Sequence, residues 1–362
     1  MSEQRRTRVA LLAAVCWLAL IAAAELATGR APTLVLSSLY GMAPLIACVA
    51  VPTVGTGLVA LAAVALSSLS GIWTGTIGTS QHAVRLFNVA LIGVVAVVIA
   101  TVRVRREQRF ARVARIAEIA QRTILPIVPS RIGPVRVAAK YVAAGQDALV
   151  GGDLFDFFHS RDRTYFIVGD VRGKGVGAVE QAARVIRAFR QAAGASGGLA
   201  SVASEMSRYL APFLGDEEFA TAVLVEVTHD ELTIVSCGHP PPLLITPALG
   251  GVLLEAPPGL PLGLSDRYEE SALTWEPGSR LLLYTDGLSE ARDQDGDFLP
   301  ITPLAHSLAA DDVERAVEQL LHTVHEYTRG QHATDDLAVV LLENTGVQSD
   351  EPDVRARFLS ND

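Results

Sequence analysis

Aspartates recur in short, mostly glycine-containing segments in the rear of the 362-residue chain. They are Gly151-Gly152-Asp153-Leu154-Phe155-Asp156, Gly169-Asp170-Val171-Arg172-Gly173-Lys174-Gly175, Thr285-Asp286-Gly287 and Thr334-Asp335-Asp336. One Asp-Gly pair alone is most often a turn, because both residues suit tight bends. Four such segments in one stretch point to chemistry. Carboxylate and carbonyl oxygens are the ligands that hard cations such as Mg2+ and Mn2+ prefer, and glycines let backbone and ions approach closely. Two ions a few ångströms apart position a bridging water, lower its pKa and neutralise charge on a phosphoryl group during in-line attack. Hydrolysis without a nucleophilic side chain is the reaction expected.

Neighbouring polar residues read more plainly. His239, between a strand and the Pro240-Pro241-Pro242 run, suits a turn histidine bonded to backbone better than a general acid. Lys174 lies in a Gly-Lys-Gly turn whose spacing from Gly169 is one residue short of a nucleotide phosphate loop, with no Ser or Thr following it. Arg172 and Lys174 remain open as contacts for a substrate phosphate or as solvated turn residues. Cys16, Cys48 and Cys237 are scattered without metal-ligand spacing and read as reduced packing residues.

Strand-like segments rich in Val, Ile, Leu and Tyr occupy 135–142, 165–168, 220–227, 231–236, 243–246, 280–284 and 338–342. Helical periodicity appears at 177–193, 199–214 and 310–328. Mostly consecutive strands with helices between them predict a layered α+β domain. Half of the residues are hydrophobic and the mean hydropathy is +0.33, an excess concentrated at the front. Apolar runs at 9–26, 34–51, 54–69 and 86–102 each approach the length that crosses a hydrocarbon core about 30 Å thick. Four spans are expected, although the short connection at 51–54 also admits a re-entrant or broken middle element and a count of three or five.

Charge divides in the same way. Up to Arg122 there are 12 arginines against four glutamates, so the net charge of −9 comes from a basic front and a strongly acidic remainder. Such an acidic domain excludes nucleic acid as a partner. Arg5, Arg6 and Arg8 before the first run, and six arginines from Arg103 to Arg115 after the last, put both flanks in the cytoplasm. The expected location is therefore the cell membrane, multi-pass, with a cytoplasmic catalytic domain. Residues 103–125 form an amphipathic linker helix ending at Pro126, which either pairs with its copy in a homodimer or packs on the catalytic domain. The expected domains are 1–102 transmembrane, 103–125 linker, 126–343 catalytic and 344–362 a disordered tail.

Taken in order, the motifs around Asp153, Asp170, Cys237-Gly238-His239-Pro240, Leu283 to Ala291 and Asp335 resemble the sporulation- and stress-response (SpoIIE/RsbU-like) branch of the bacterial PP2C (PPM) phosphatases. The resemblance covers about 120–342. It implies a four-layer α/β/β/α sandwich and a protein-serine/threonine phosphatase with two Mn2+ or Mg2+ ions, in which a metal-bridging water attacks directly. It also implies that Asp170 bridges both ions, with the Val171 carbonyl on one of them. Asp286 and Asp335 would hold the other, and Asp153 would act through water. Asp336 is the alternative to Asp335, and Asp156 is either a supporting residue or a ligand for a third ion. The substrate implied is a phosphoprotein, an anti-sigma-factor antagonist. Two other readings stand beside this one. Gly151 to Phe155 resembles part of the diguanylate cyclase signature, except at Leu154, and a degenerate phosphatase fold could serve as a binding module.

Overall fold

The computed structural model describes residues 3–28, 36–143, 151–160, 163–195, 197–215, 218–228, 230–248, 250–310, 312–329 and 335–346. Most of the expected tail, and Thr334, lie outside them. The chain divides into two compact units, Met1–Arg112 and Val113–Asp362.

The first unit is helical: α1 (Glu3–Thr28), a 3-10 turn at Ser37–Gly41, α2 (Met42–Cys48), α3 (Thr53–Thr74) and α4 (Ser80–Ile124), which continues into the second unit. Three stretches, Arg5–Ala27, Thr53–Ile72 and Ser80–Gln121, are long and apolar enough to cross a membrane. The expected second span is instead the short Ser37–Cys48 segment. That segment is too short to cross as one helix, and Pro52 separates it from α3. Small side chains, among them Ala14, Ala43, Ala47 and Ala63, are buried where these helices meet. Many large ones, including Leu12, Leu20, Leu58, Leu61 and Val94, face outward. Glu25 is buried and accepts a hydrogen bond from the Tyr40 hydroxyl at 3.1 Å. The expected linker is the C-terminal end of α4, continuous with the last apolar run.

The second unit holds two antiparallel sheets. One has six strands in the order β1 (Arg131–Ile132), β2 (Val135–Val142), β11 (Leu337–Asn344), β10 (Arg280–Tyr284), β7 (Leu243–Thr246) and β8 (Gly250–Leu253). The other has five, in the order β3 (Leu154–His159), β4 (Thr164–Val171), β5 (Ala220–Val227), β6 (Glu231–Cys237) and β9 (Ser271–Thr274). Helices α5 (Val176–Ala195) and α6 (Leu199–Leu210) cover the five-stranded sheet with Val185, Phe189, Val202 and Met206. A four-residue turn of helix, α7 (Asp286–Ser289), follows β10. Helices α8 (Ala305–Ala310) and α9 (Val313–Tyr327) cover the six-stranded sheet with Leu308, Val317, Leu320 and Val324. Between the sheets lies a third core of Phe166, Val168, Val223, Val225, Leu281, Leu283 and Val340. This is the four-layer α/β/β/α arrangement expected. Each such fully buried side chain contributes about 1.5–3 kcal/mol.

Four strands were not foreseen. β3 was read as part of a glycine-rich turn motif, β1 is only two residues long, and β8 and β9 are short edge pieces, Gly-Gly-Val-Leu and Ser-Ala-Leu-Thr, with little apolar alternation. The helix expected at 310–328 is α9, which starts after Asp312, and the short α8 before it was not foreseen.

Candidate metal centre

Strand periodicity places the site. In β4, Tyr165, Ile167 and Val171 face the helices, whereas Phe166 and Val168 face the other sheet. With a side-chain period of two, Asp170 continues the inward row. The same parity in β3 sends Phe155 inward, so Asp153 just before the strand faces the cleft and Asp156 faces α5. In β10, Leu281 and Leu283 point inward and Thr285 extends that row past the strand end, carrying Asp286 beside it at the start of α7.

Carboxylate oxygens of Asp153, Asp170 and Asp286 all lie within 4.8 Å of one another. Asp153 is 2% exposed. Burial raises all three carboxyls above their ordinary range, and like charge adds to it: Asp170 acts on Asp153, Asp286 on Asp170, and Asp335 on Asp286. Three carboxylates cannot all ionise so close together out of water without a counter-charge. An all-oxygen, anionic donor set in a tight cleft therefore fits hard divalent cations.

The Val171 carbonyl lies against Gly152, where a Cβ would collide with it, so the Gly151-Gly152 pair lets the two chain segments close on each other. Gly287 is pressed in the same way against the backbone of Asp336. Asp335 stands outside the 4.8 Å group. Its Oδ1 pairs with Lys174 Nζ at 3.0 Å, and it is close enough to act on both Asp170 and Asp286. Asp336 is buried, with Oδ2 accepting from the Tyr141 hydroxyl and the Gly151 N–H, both at 2.5 Å. Asp156 is held by Arg190 through Nε at 2.6 Å and Nη2 at 3.1 Å. Its orientation toward α5 removes it from the cluster, so it is no ligand for a third ion there.

Sequence reasoning missed the polar groups around the carboxylates. The Thr285 hydroxyl donates to Asp153 Oδ2 at 2.6 Å and accepts from the Ala338 N–H at 2.9 Å. Gln121, buried on α4, donates to the Asp153 carbonyl at 3.1 Å. His239 is buried and bonds at both ring nitrogens, as the turn reading anticipated for one of them. Burial pushes its imidazole down to about 4, so it is neutral at ordinary pH. Cys237 is packed in the core and Cys48 is buried, but Cys16 is exposed on α1.

Fold and site together define a two-sheet sandwich with an acidic centre in its cleft. The chain belongs to the stage II sporulation protein E (SpoIIE) family, whose pattern matches residues 160–345 and so includes Asp170, Asp286 and Asp335. It is similar to the phosphoserine phosphatase RsbP of Bacillus subtilis, with 26% identity over 218 residues, 58% of this chain and 52% of that protein. The chain thus spans about half the length of that relative. Among solved structures, the RsbU and RsbW domains of a Mycobacterium tuberculosis protein share 25% identity at a TM-score of 0.52, over 60% of this chain and 62% of that one. The SiaA-PP2C domain of Pseudomonas aeruginosa superposes at a TM-score of 0.56, with 20% identity, over 66% of this chain and 98% of that one. The cyclase reading rested on Gly151 to Phe155 alone. It leaves Asp170 and Asp286, which share the site with Asp153, without a role.

Proposed function

We propose that this chain is a membrane-anchored, metal-dependent protein-serine/threonine phosphatase. The observation that carries the reading is the meeting of Asp153, Asp170 and Asp286 from both sheets within 4.8 Å, in a chain of the SpoIIE family. Two Mn2+ or Mg2+ ions, when bound, supply a water of lowered pKa and charge neutralisation for the phosphoryl group.

The chain's own residues hold that pair. Asp170 and Asp286 would hold the ions directly, with the Val171 carbonyl and Asp335 as further ligands and Asp153 acting through water. The choice of Asp335 over Asp336 is supported by the commitment of Asp336 Oδ2 to Tyr141 and Gly151. Lys174, beside Asp335, is suited to draw in a phosphate oxygen. The all-carboxylate set argues against a degenerate binding module.

The substrate class follows from kinship: a phosphoserine on a protein, such as an anti-sigma-factor antagonist. The domains are 1–102 in the membrane, 103–125 as linker and 126–343 as catalytic domain. The arginines that follow the last apolar run favour a cytoplasmic catalytic domain. Val113 and Ile116, exposed three residues apart on one side of α4, favour a homodimer through the linker helix, and cysteines placed at these positions would crosslink two copies. Gln121 makes the end of that helix a lever on the Asp153 segment.

The test is phosphate release from a phosphoserine-bearing antagonist protein by the purified full chain. Release is expected with Mn2+, none in excess chelator, and none from Asp170→Asn or Asp286→Asn. Wild-type rates from both variants would overturn the reading.

A further inference from the structure

His239 joins the two sheets at the site. Its Nε2 lies 3.1 Å from the Tyr284 carbonyl, and its Nδ1 lies 3.0 Å from Thr221 Oγ1. A carbonyl can only accept, so Nε2 carries the proton and Nδ1 accepts from the threonine hydroxyl. Each partner is next to a cluster aspartate. Thr221 stands opposite Asp170 in the β4–β5 register. Tyr284 ends β10, two residues before Asp286. The imidazole therefore spans from the five-stranded sheet to the six-stranded one.

The approach is built by its neighbours. Gly238 adopts a φ of +73°, and a Cβ there would strike Pro261, so the chain turns sharply before His239. Pro240 follows, fixing its own φ and restricting the backbone of His239 to extended conformations. A second cross-sheet bond, from Thr285 to Asp153, uses a cluster carboxylate directly. The His239 bridge uses none, and so leaves the carboxylates to the ions.

We propose that His239 is a positioning residue of the metal centre: its imidazole fixes the separation of Asp170 and Asp286 across the cleft and thereby sets the affinity of the site for its cations. The inference rests on the metal-dependent reading above. A neutral ring adds no charge to repel cations.

Calorimetric titration of Mn2+ into the detergent-solubilised full chain tests it, with thermal unfolding in parallel. Thr221→Val keeps a β-branched side chain in β5 and severs one end of the bridge. His239→Gln keeps a distal amide donor for Tyr284, and His239→Phe keeps only the bulk. Supporting outcomes segment by degree: Mn2+ binding weakens about 10-fold or more in His239→Phe, and by smaller factors in Thr221→Val and His239→Gln. Phosphate release at saturating Mn2+ stays within about threefold of wild type. A folded His239→Phe or Thr221→Val protein that binds Mn2+ as wild type does overturns the proposal, including when its unfolding temperature falls. If His239→Phe does not fold, Thr221→Val decides. Asp286→Asn separates the two readings. Should wild type bind no Mn2+, the metal reading itself fails. Should Asp286→Asn lose binding while the bridge variants keep it, only the role of His239 fails.

Discussion

The Thr285 hydroxyl donates to Asp153 Oδ2 at 2.6 Å while the same oxygen accepts from the Ala338 N–H at 2.9 Å, tying a cluster carboxylate of one sheet to the ends of two strands of the other. That bond favours the ionised form of Asp153 against burial and the charge of Asp170. Replacing Thr285 by Val keeps the shape but strands a buried carboxylate and a backbone donor. A loss of about 2–4 kcal/mol is expected, read by urea unfolding, together with weaker Mn2+ binding. Unchanged stability would show that the bond contributes nothing.

Asp170 gives the second prediction. Burial and then Asp286 push its carboxyl up to about 7, above its ordinary 3.8. Ionising it in the metal-free protein therefore costs stability at neutral pH, a cost relieved as pH falls through 7. Asp170→Asn removes that cost. Chelator-treated Asp170→Asn is expected to melt several degrees above wild type at pH 8, about 2–4 °C per kcal/mol released, and to show no such gain at pH 4. A lower melting temperature at pH 8 would contradict the repulsion argument.

Arg190 makes two contacts to an Asp156 side chain that is 1% exposed, although the arginine itself is 54% exposed. Arg190→Ala leaves the carboxyl buried without its cation, so Asp156 is retained as the acid. Because burial already raises Asp156, the loss is expected to be larger at pH 8 than at pH 5, about 2 kcal/mol at pH 8 after allowing for the exposed arginine. Mn2+-dependent phosphate release at saturation should survive, since Asp156 faces α5 and not the cleft. Abolished release in the folded variant would restore Asp156 to the site.

The His239 imidazole, pushed down to about 4 from 6.5, carries the opposite pH sign. The folded protein resists its protonation and the unfolded chain does not, so stability is whole above pH 6.5 and declines as pH falls toward 4. The expected loss is about 3 kcal/mol. It is read as the difference in urea stability between wild type and His239→Gln from pH 8 to pH 4. A difference that does not change with pH would mean that the ring is not buried neutral.

Much of the site was legible because metal chemistry constrains residue type and local spacing together. Asp170 and Asp286 stood out in motifs that combine a carboxylate, a strand end and a glycine needed for close approach. Most strands were legible for a similar reason, since β5, β7, β10 and β11 are runs rich in Val and Leu. β3 was not, because its Leu-Phe-Asp-Phe-Phe-His sequence looked like the tail of a turn motif, and its strand character depends on pairing with β4. The second apolar run was long enough in composition, but only Ser37–Cys48 of it is helical.

The sequence by itself determined the inventory: an apolar helical front, a basic helix after it, and carboxylates set in turns within an acidic α+β domain. Which carboxylates share a site was decided only in three dimensions. Asp153 and Asp156 differ by an odd number of residues, and so do Asp335 and Asp336, so each pair divides between environments. Parity is present in the chain, but which face becomes the cleft depends on how the two sheets stack. That stacking gives Asp156 to Arg190 and Asp336 to Tyr141 and Gly151, and it brings Asp153, Asp170 and Asp286 together from three separate segments. It also sets His239 between Thr221 and Tyr284, partners 63 positions apart in the chain that no local pattern connects.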